Sequence, residues 1–197
     1  MPYITSADII NQSLLAIMSE SEKKLIIRPS EDKDMPEITE IFAHNVLHGL
    51  ASWDYEPPSL DEMCRRRDAL IDAGYPHIVA TFKDEVVGYS YASTYRPRPG
   101  YRFVVENSIY VRGDMQRQGI ARALLQEVIR LCEERVYRQM VAVIGDSDNV
   151  PSIKLHEELG FRHVGMFRSI GWKQDRWLDS IIMQRSLGAG DTTDPED

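Results

Sequence analysis

The chain has 197 residues, 43% of them hydrophobic and 27% charged, the proportions of a folded protein with a sizeable core rather than of a fibrous or wholly disordered chain. Lysine and arginine number 23 against 31 aspartates and glutamates, for a net charge of −8, so no global positive field draws nucleic acid or anionic lipid. The longest apolar runs, such as Met140–Ile144, are far too short to span a bilayer, and no basic-then-apolar leader opens the chain. With only Cys64 and Cys132, far apart and outside any zinc or redox spacing, the composition points to a cytoplasmic protein with reduced, structural thiols.

In chain order, residues 1–24 form an appended arm in which Ile9, Ile10, Leu14, Ile17 and Met18 are spaced for a short amphipathic helix. Its acids Asp8, Glu20 and Glu22 and its lack of arginine argue against a transit peptide. Leu25–Ile27 reads as a strand stopped by Pro29. Met35–His48 reads as a helix with Ile38, Ile41, Phe42 and Leu47 inward, and Leu60–Ala73 as a second helix ended by Gly74 and Pro76. Ile78–Phe82 and Val86–Tyr95 are strands close enough for a hairpin through Lys83-Asp84-Glu85. After a loop forced by Pro97, Pro99 and Gly100 comes the strand Phe103–Val111, then a Gly-containing turn. A strongly periodic helix follows through Ala123, Leu124, Val128, Ile129 and Leu131. Met140–Ile144 is a buried strand, Ser152–Leu159 a short helix closed by Gly160, and Phe161–Phe167 and Leu178–Gln184 the last strands. The fold class is α+β with a mixed sheet over residues 25–187, and 188–197 reads as a disordered acidic tail.

The most informative segment is Gln116-Arg117-Gln118-Gly119-Ile120-Ala121, between a strand and a helix. Small residues at 119 and 121 let helix N-terminal amides approach a ligand, and the helix dipole favours phosphate; a plain strand-to-helix turn explains the glycine equally well. Neither a three-glycine dinucleotide fingerprint nor a Gly-Lys-Ser/Thr phosphate loop is present.

Gln116-x-x-Gly119-x-Ala121 after a strand ending Ile109-Tyr110-Val111, followed by Asn149-x-x-Ser152-x-x-Leu155-His156-x-x-Leu159-Gly160-Phe161, resembles the GNAT superfamily of acetyl-CoA-dependent N-acetyltransferases. Within it the chain resembles the phosphinothricin acetyltransferase branch. The residues that carry this are Ala51-Ser52-Trp53, Arg98-x-x-Tyr101-x-x-x-x-Glu106-x-Ser108-x-Tyr110-Val111, Val143-Ile144-Gly145, Leu155-His156-Glu157 and Gly171-x-Lys173-x-x-x-Trp177-x-Asp179. The resemblance implies a mostly antiparallel sheet flanked by helices, with a splayed parallel pair, Phe103–Val111 and Met140–Ile144. The acetyl-CoA would lie in that opening like an extra strand. It also implies that Ile109, Tyr110 and Val111 pair their backbone with the pantetheine arm, that amides of Arg117, Gln118, Gly119, Ile120, Ala121 and Arg122 cradle the pyrophosphate, that Asn149 and Ser152 form a second half-site, and that no metal is needed.

The reaction then sets requirements of its own: a proton must leave the attacking amine and one must reach the departing sulfur. Glu106, an acid inside an apolar strand, is the candidate base, although an outward-facing glutamate there needs no special cause. His156 stands where the branch has histidine and is a candidate general acid or a packing residue. Arg96 and Arg98, in the Pro-rich loop, offer a fork for a substrate carboxylate, and Trp53 and Tyr101 are candidate walls of the acceptor pocket that are equally readable as core. The Arg65-Arg66-Arg67 run, flanked by Asp61, Glu62 and Asp68, reads as a solvated face. Val104, Trp172 and Asp175 depart from the branch pattern near the acceptor side.

Together these readings describe an enzyme that acetylates the α-amino group of a small amino-acid-like compound such as phosphinothricin, methionine sulfoximine or methionine sulfone, as a homodimer whose partner helps to complete the pocket. The alternatives are an acetyltransferase for a protein N-terminus or a polyamine, and a non-catalytic acyl-CoA-binding protein. A nucleic-acid-binding module is disfavoured by the net acidity.

Overall fold

The computed structural model describes residues 25–50 and 52–195; the arm, with its expected helix, lies outside the described residues. The elements are β1 (Ile26–Pro29), α1 (Met35–His48), α2 (Leu60–Asp72), β2 (His77–Phe82), β3 (Glu85–Thr94), β4 (Val104–Val111), α3 (Ile120–Glu134), β5 (Gln139–Gly145), α4 (Val150–Glu158), β6 (Arg162–Lys173) and β7 (Arg176–Ser186). The seven strands form one sheet in the order β1-β2-β3-β4-β5-β7-β6. Every pairing is antiparallel except β4 with β5.

Strand alternation gives the sheet two apolar faces. Val79, Val86, Tyr89 and Tyr110 point to one face, where Met35, Ile38, Ile41, Phe42 and Val46 of α1 and Met63 of α2 cover them. Ile78, Ala80, Val87, Val105, Met140 and Ala142 point to the other, under Ile120, Leu124, Leu125, Val128, Ile129 and Cys132 of α3. This second face is where α3 comes closest: a Cβ on Gly88 would lie 3.2 Å from Leu124 and 2.9 Å from the Tyr110 carbonyl oxygen. In α1 the inward residue is Val46, 1% exposed, whereas Leu47, expected to be inward, is 55% exposed. Val46 is four residues beyond Phe42 and therefore shares its face, while Leu47 is rotated off it.

Element boundaries shift where the chain's partner, rather than its own composition, sets the structure. Pro29 lies inside β1, which tolerates it at the end of an edge strand. The β2–β3 turn is the two residues Lys83 and Asp84, both left-handed (φ 53° and 62°), with Glu85 already paired to Phe82. The last hairpin is longer than expected. β6 and β7 continue through Arg168–Lys173 and Arg176–Trp177 to a second left-handed pair, Gln174 and Asp175 (φ 50° and 57°), and a register shift falls between Phe167 and Gly171. Asp175, a departure from the branch pattern, is a residue type that adopts this conformation readily.

Of the tail, residues 188–195 are described. The Gly190 amide donates to Leu187 O and that of Thr192 to Ala189 O. The Arg138 guanidinium donates to Thr193 Oγ1 (3.1 Å) and Asp194 O (3.0 Å), tying this stretch to the start of β5. Among the described residues no helix is long and apolar enough to cross a membrane.

Candidate active site

The parallel pair is short. Val104, Val105 and Glu106 pair with Gln139, Met140 and Val141, and no further pair joins β4 to β5. Each strand stays paired on its other side, β4 with β3 through Val111 and β5 with β7 through Gly145, so the two diverge from Glu106 and Val141 onward. The opening leads into a cavity of about 870 Å³ lined from β4, β5, α4 and the start of α3. It presents the β5-facing edge of β4 without a strand partner, backbone an extended ligand can pair with.

One end of the cavity is built for an anion. Gly119 is the N-cap of α3 at φ 81°, contributes no side-chain cap, and a Cβ there would meet nothing within 4 Å. The first-turn amides of α3 are therefore left for a ligand, at the positive end of the helix dipole. Arg117, Gly119, Ile120, Ala121 and Arg122 line this end, and Arg122 is ion-paired to Glu158. Gln118 does not line the cavity; its amide nitrogen lies 3.7 Å from Met115 Sδ. Ile109, Tyr110, Val111, Asn149 and Ser152 line the cavity too. Asn149 already has structural work as the N-cap of α4, its Oδ1 accepting from Ser152 N at 3.3 Å. The Tyr110 ring is turned into the core, edge-on to Phe42 and stacked on Tyr89, each at 5.1 Å, which leaves its backbone for the opening.

Glu106 lies at the point of divergence. Its carboxylate makes no hydrogen bond or ion pair among the described residues, and burial alone raises its pKa above the usual carboxylate value. An unbonded carboxylate of raised proton affinity is suited to accept a proton. His156, 4% exposed, comes from α4 with both ring nitrogens engaged: Nδ1 lies 2.8 Å from Ser152 O and Nε2 3.1 Å from Asn107 Oδ1. Phe161 packs edge-on against the imidazole at 4.9 Å. Burial lowers the His156 pKa below its ordinary value, and the Ser152 carbonyl offsets only part of that.

At the other end, Ser52, Trp53, Asp54, Arg66 and Tyr91 join the wall. The loop carrying Trp53 is fastened to the β6–β7 hairpin. Lys173 Nζ donates to Ser52 O at 2.7 Å, the Tyr55 hydroxyl donates to Trp172 O, and the indole lies over Gly171 and Gly145. Of the residues carried over by resemblance, Trp53 is therefore at the cavity. Arg96, Arg98 and Tyr101 are not. The two arginines are exposed in the β3–β4 loop, with Arg96 stacked over Tyr95 and Tyr101 at 5.3 and 5.9 Å and Arg98 O accepting from Tyr101 N.

The arginine run in α2 is not uniformly solvated. Arg67 is buried, donating to Ser30 Oγ (2.9 Å), Ser30 O (2.8 Å) and Asp32 (2.7 Å), and so ties α2 to the end of β1; Arg66 reaches the cavity beside Asp54 (3.4 Å). Arg65 and Arg66, both exposed and both paired to Glu62, match the expectation, and Arg67 does not. Helical spacing explains the split, since three consecutive residues point in three directions about 100° apart. Asn107 carries no signal of its own in the sequence: flanked by Glu106 and Ser108 it fits no periodic pattern, and the meeting of β4, β5 and α4 reveals it.

Residues 27–182 match the acetyltransferase (GNAT) domain family. The chain belongs to the GNAT acetyltransferase family. It is 45% identical over 170 residues to the phosphinothricin N-acetyltransferase of Alcaligenes faecalis, covering 86% of each chain. It is 38% identical over 162 residues to an L-methionine sulfoximine/L-methionine sulfone acetyltransferase of Pseudomonas paraeruginosa, covering 82% of this chain and 94% of that protein. Among solved structures, a GNAT phosphinothricin acetyltransferase from Sinorhizobium meliloti in complex with AcCoA superposes with a TM-score of 0.86 at 42% identity, over 88% of this chain and 94% of that one. The protein is thus an N-acetyltransferase that uses acetyl-CoA, and the splayed strands, the unpaired edge of β4 and the open N-terminus of α3 fit that co-substrate.

Proposed function

We propose that this enzyme acetylates the α-amino group of a small amino-acid-like acceptor of the phosphinothricin, methionine sulfoximine or methionine sulfone type, by direct attack on the thioester with Glu106 as the base. The observation that carries this reading is Glu106 itself: a half-buried carboxylate without a partner, at the divergence of β4 and β5, facing the cavity. An α-amino group is mostly protonated at neutral pH and must lose a proton before it can attack, and a carboxylate whose proton affinity is raised by burial can accept it. The named acceptors of the relatives support the substrate class. His156, buried at the cavity wall, is the second candidate proton-carrying group, for the leaving sulfur.

The proposed working unit is a homodimer in the cytoplasm, in keeping with two unpaired cysteines. Arg96, Arg98 and Tyr101 lie off the cavity wall of their own chain, so they serve an acceptor only by reaching the cavity of a second copy. The outer hairpin supports association: Val164, Phe167, Ile170 and Trp177 are 60%, 54%, 58% and 62% exposed. The test is release of free thiol from acetyl-CoA with a panel of methionine sulfone, phosphinothricin, a polyamine and a peptide with a free N-terminus. Turnover on the two amino acids and little on the others is expected. Preference for the peptide or the polyamine overturns the acceptor class, and no thiol release with any amine overturns the catalytic reading.

A further inference from the structure

We infer that Asn107 is a positioning residue that sets which protons His156 carries. The Glu106–Val141 pair is the last of the parallel ladder, and there the Asn107 side chain adds a bond of its own across to β5: its Nδ2 donates to Val141 O at 3.2 Å. That contact fixes the amide's orientation, because turning it over would set Oδ1 against another acceptor. Asn107 therefore presents its oxygen to His156 Nε2, 3.1 Å away. On the opposite side of the ring Nδ1 faces a second acceptor, the Ser152 carbonyl, at 2.8 Å.

A neutral imidazole has one N–H and one lone pair. With acceptors on both sides, either neutral tautomer places its lone pair against an oxygen, and only the imidazolium completes both bonds. Asn107 and Ser152 thus form a cradle for the charged ring, in a place whose burial disfavours charge: Asn107 is 8% and His156 4% exposed. The surroundings leave this contest to those two groups. From the residue before β6 comes the Phe161 ring edge, and from β5 the apolar Val141–Ile144. On α4 itself Glu157 is turned outward to His163. Glu106 is the titratable neighbour on β4, and the remaining charged groups of the cavity are Asp54, Arg66, Arg117 and Arg122. A ring that holds a second proton at Nε2, at the wall of the site where a thioester is attacked, stabilises developing negative charge and supplies a proton to the leaving sulfur, returning to neutral and recharging from water.

The inference rests on the proposed acetyl transfer for its role in turnover, but its first test does not require turnover. Histidine ring nitrogens are followed by NMR across a pH titration of the free protein. Asn107→Leu removes the acceptor, so the proton affinity of His156 falls about ten- to hundredfold, while Asn107→Asp puts a carboxylate beside Nε2 and raises it. The pH profile of kcat moves with the NMR titration in each variant, in opposite directions, and acetyl-CoA affinity changes little. If Asn107→Leu fails to fold, Asn107→Asp and Asn107→Ser carry the test. An unmoved His156 titration in the folded variants overturns the inference. A titration that moves while kcat keeps the parent's pH profile also overturns it, by removing His156 from the proton transfers, and would leave the assignment of Glu106 standing.

Discussion

Gly171→Ala tests how the acceptor end of the cavity is built. A Cβ at this position would lie 2.5 and 2.6 Å from Cη2 and Cε3 of the Trp53 indole, and nearer still to Cζ3. Carbon atoms rest about 3.5–4.0 Å apart, so the ring must withdraw by at least about 1 Å. It has somewhere to go: Trp53 is 38% exposed, and its loop is held by the Lys173–Ser52 and Tyr55–Trp172 bonds rather than by the indole alone. The strain is therefore relieved by displacing the wall, and the loss of stability stays toward the lower part of the usual range of about 1–3 kcal/mol for overpacking. The cost falls on the acceptor, because a misplacement of about 1 Å costs up to about 10²-fold in turnover. Acceptor KM is expected to rise about tenfold or more in the thiol-release assay, with acetyl-CoA affinity by calorimetry unchanged, since the α3 end is remote from the hairpin. Trp53 emission, read against a Trp53→Phe control, shifts toward that of water-exposed indole. Unchanged acceptor KM together with unmoved emission in the folded variant would refute the claim that Gly171 seats Trp53 as a pocket wall.

Three further outcomes are expected. Gly119→Glu abolishes acetyl-CoA binding by placing a negative charge in the cradle at the N-terminus of α3; because φ is 81° there, Gly119→Asn, which tolerates that backbone, is the control and retains measurable affinity in calorimetry. Glu106→Gln lowers turnover by about 10²–10⁴-fold at nearly unchanged cofactor affinity, and the acidic limb of the parent's kcat/KM profile, which lies above the usual carboxylate range because burial raises that pKa, disappears; near-normal turnover removes Glu106 as the base. His77, buried against Ser30 Oγ at 2.8 Å, has its pKa lowered from 6.5 to about 4, by burial first and by Arg67 second. The folded state binds this proton less well than the unfolded one, so stability is full above pH 6.5 and falls by about 3 kcal/mol as pH drops through about 4. Denaturant melts at pH 7, 5.5 and 4 should show that loss in the parent and a flatter dependence in His77→Gln, and equal slopes would contradict the assignment.

The sequence made the cofactor end far more legible than the acceptor end, and the difference is physical. Binding a pyrophosphate with backbone amides requires a left-handed glycine, a small residue and a helix start within a few positions, so Gly119, Ala121 and the onset of α3 sit together in sequence as they do in space. Local pattern likewise marks α1, because its buried residues recur at helical spacing, although apolar character alone does not decide between neighbours such as Val46, which is buried, and Leu47, which is exposed. The acceptor end is assembled from parts that no local pattern links: a loop residue at 53, one arginine of three at 66, a glycine at 171 and the lysine that fastens them at 173. The long β6–β7 hairpin shows the same limit, since Arg168–Lys173 has no strand composition and is held extended by pairing with β7.

This division also bears on what the enzyme can change without losing its chemistry. In the proposed binding mode the co-substrate is held largely by main chain, at the unpaired edge of β4 and the amides of α3, and main-chain donors survive most substitutions of their own side chains. Glu106 sits at the last rung of the parallel pair, where the ladder on one side and the opening on the other fix it together. The acceptor wall depends instead on side chains borne by a loop and a hairpin that touch through a few contacts, so replacements at 53, 66 or 171 reshape the pocket without disturbing either the cradle or the base. Acceptor preference is therefore expected to vary among chains that share this cofactor site, and the departures at Trp172 and Asp175, both in the hairpin that carries the Trp53 seat, fall on the side of the molecule where such variation acts.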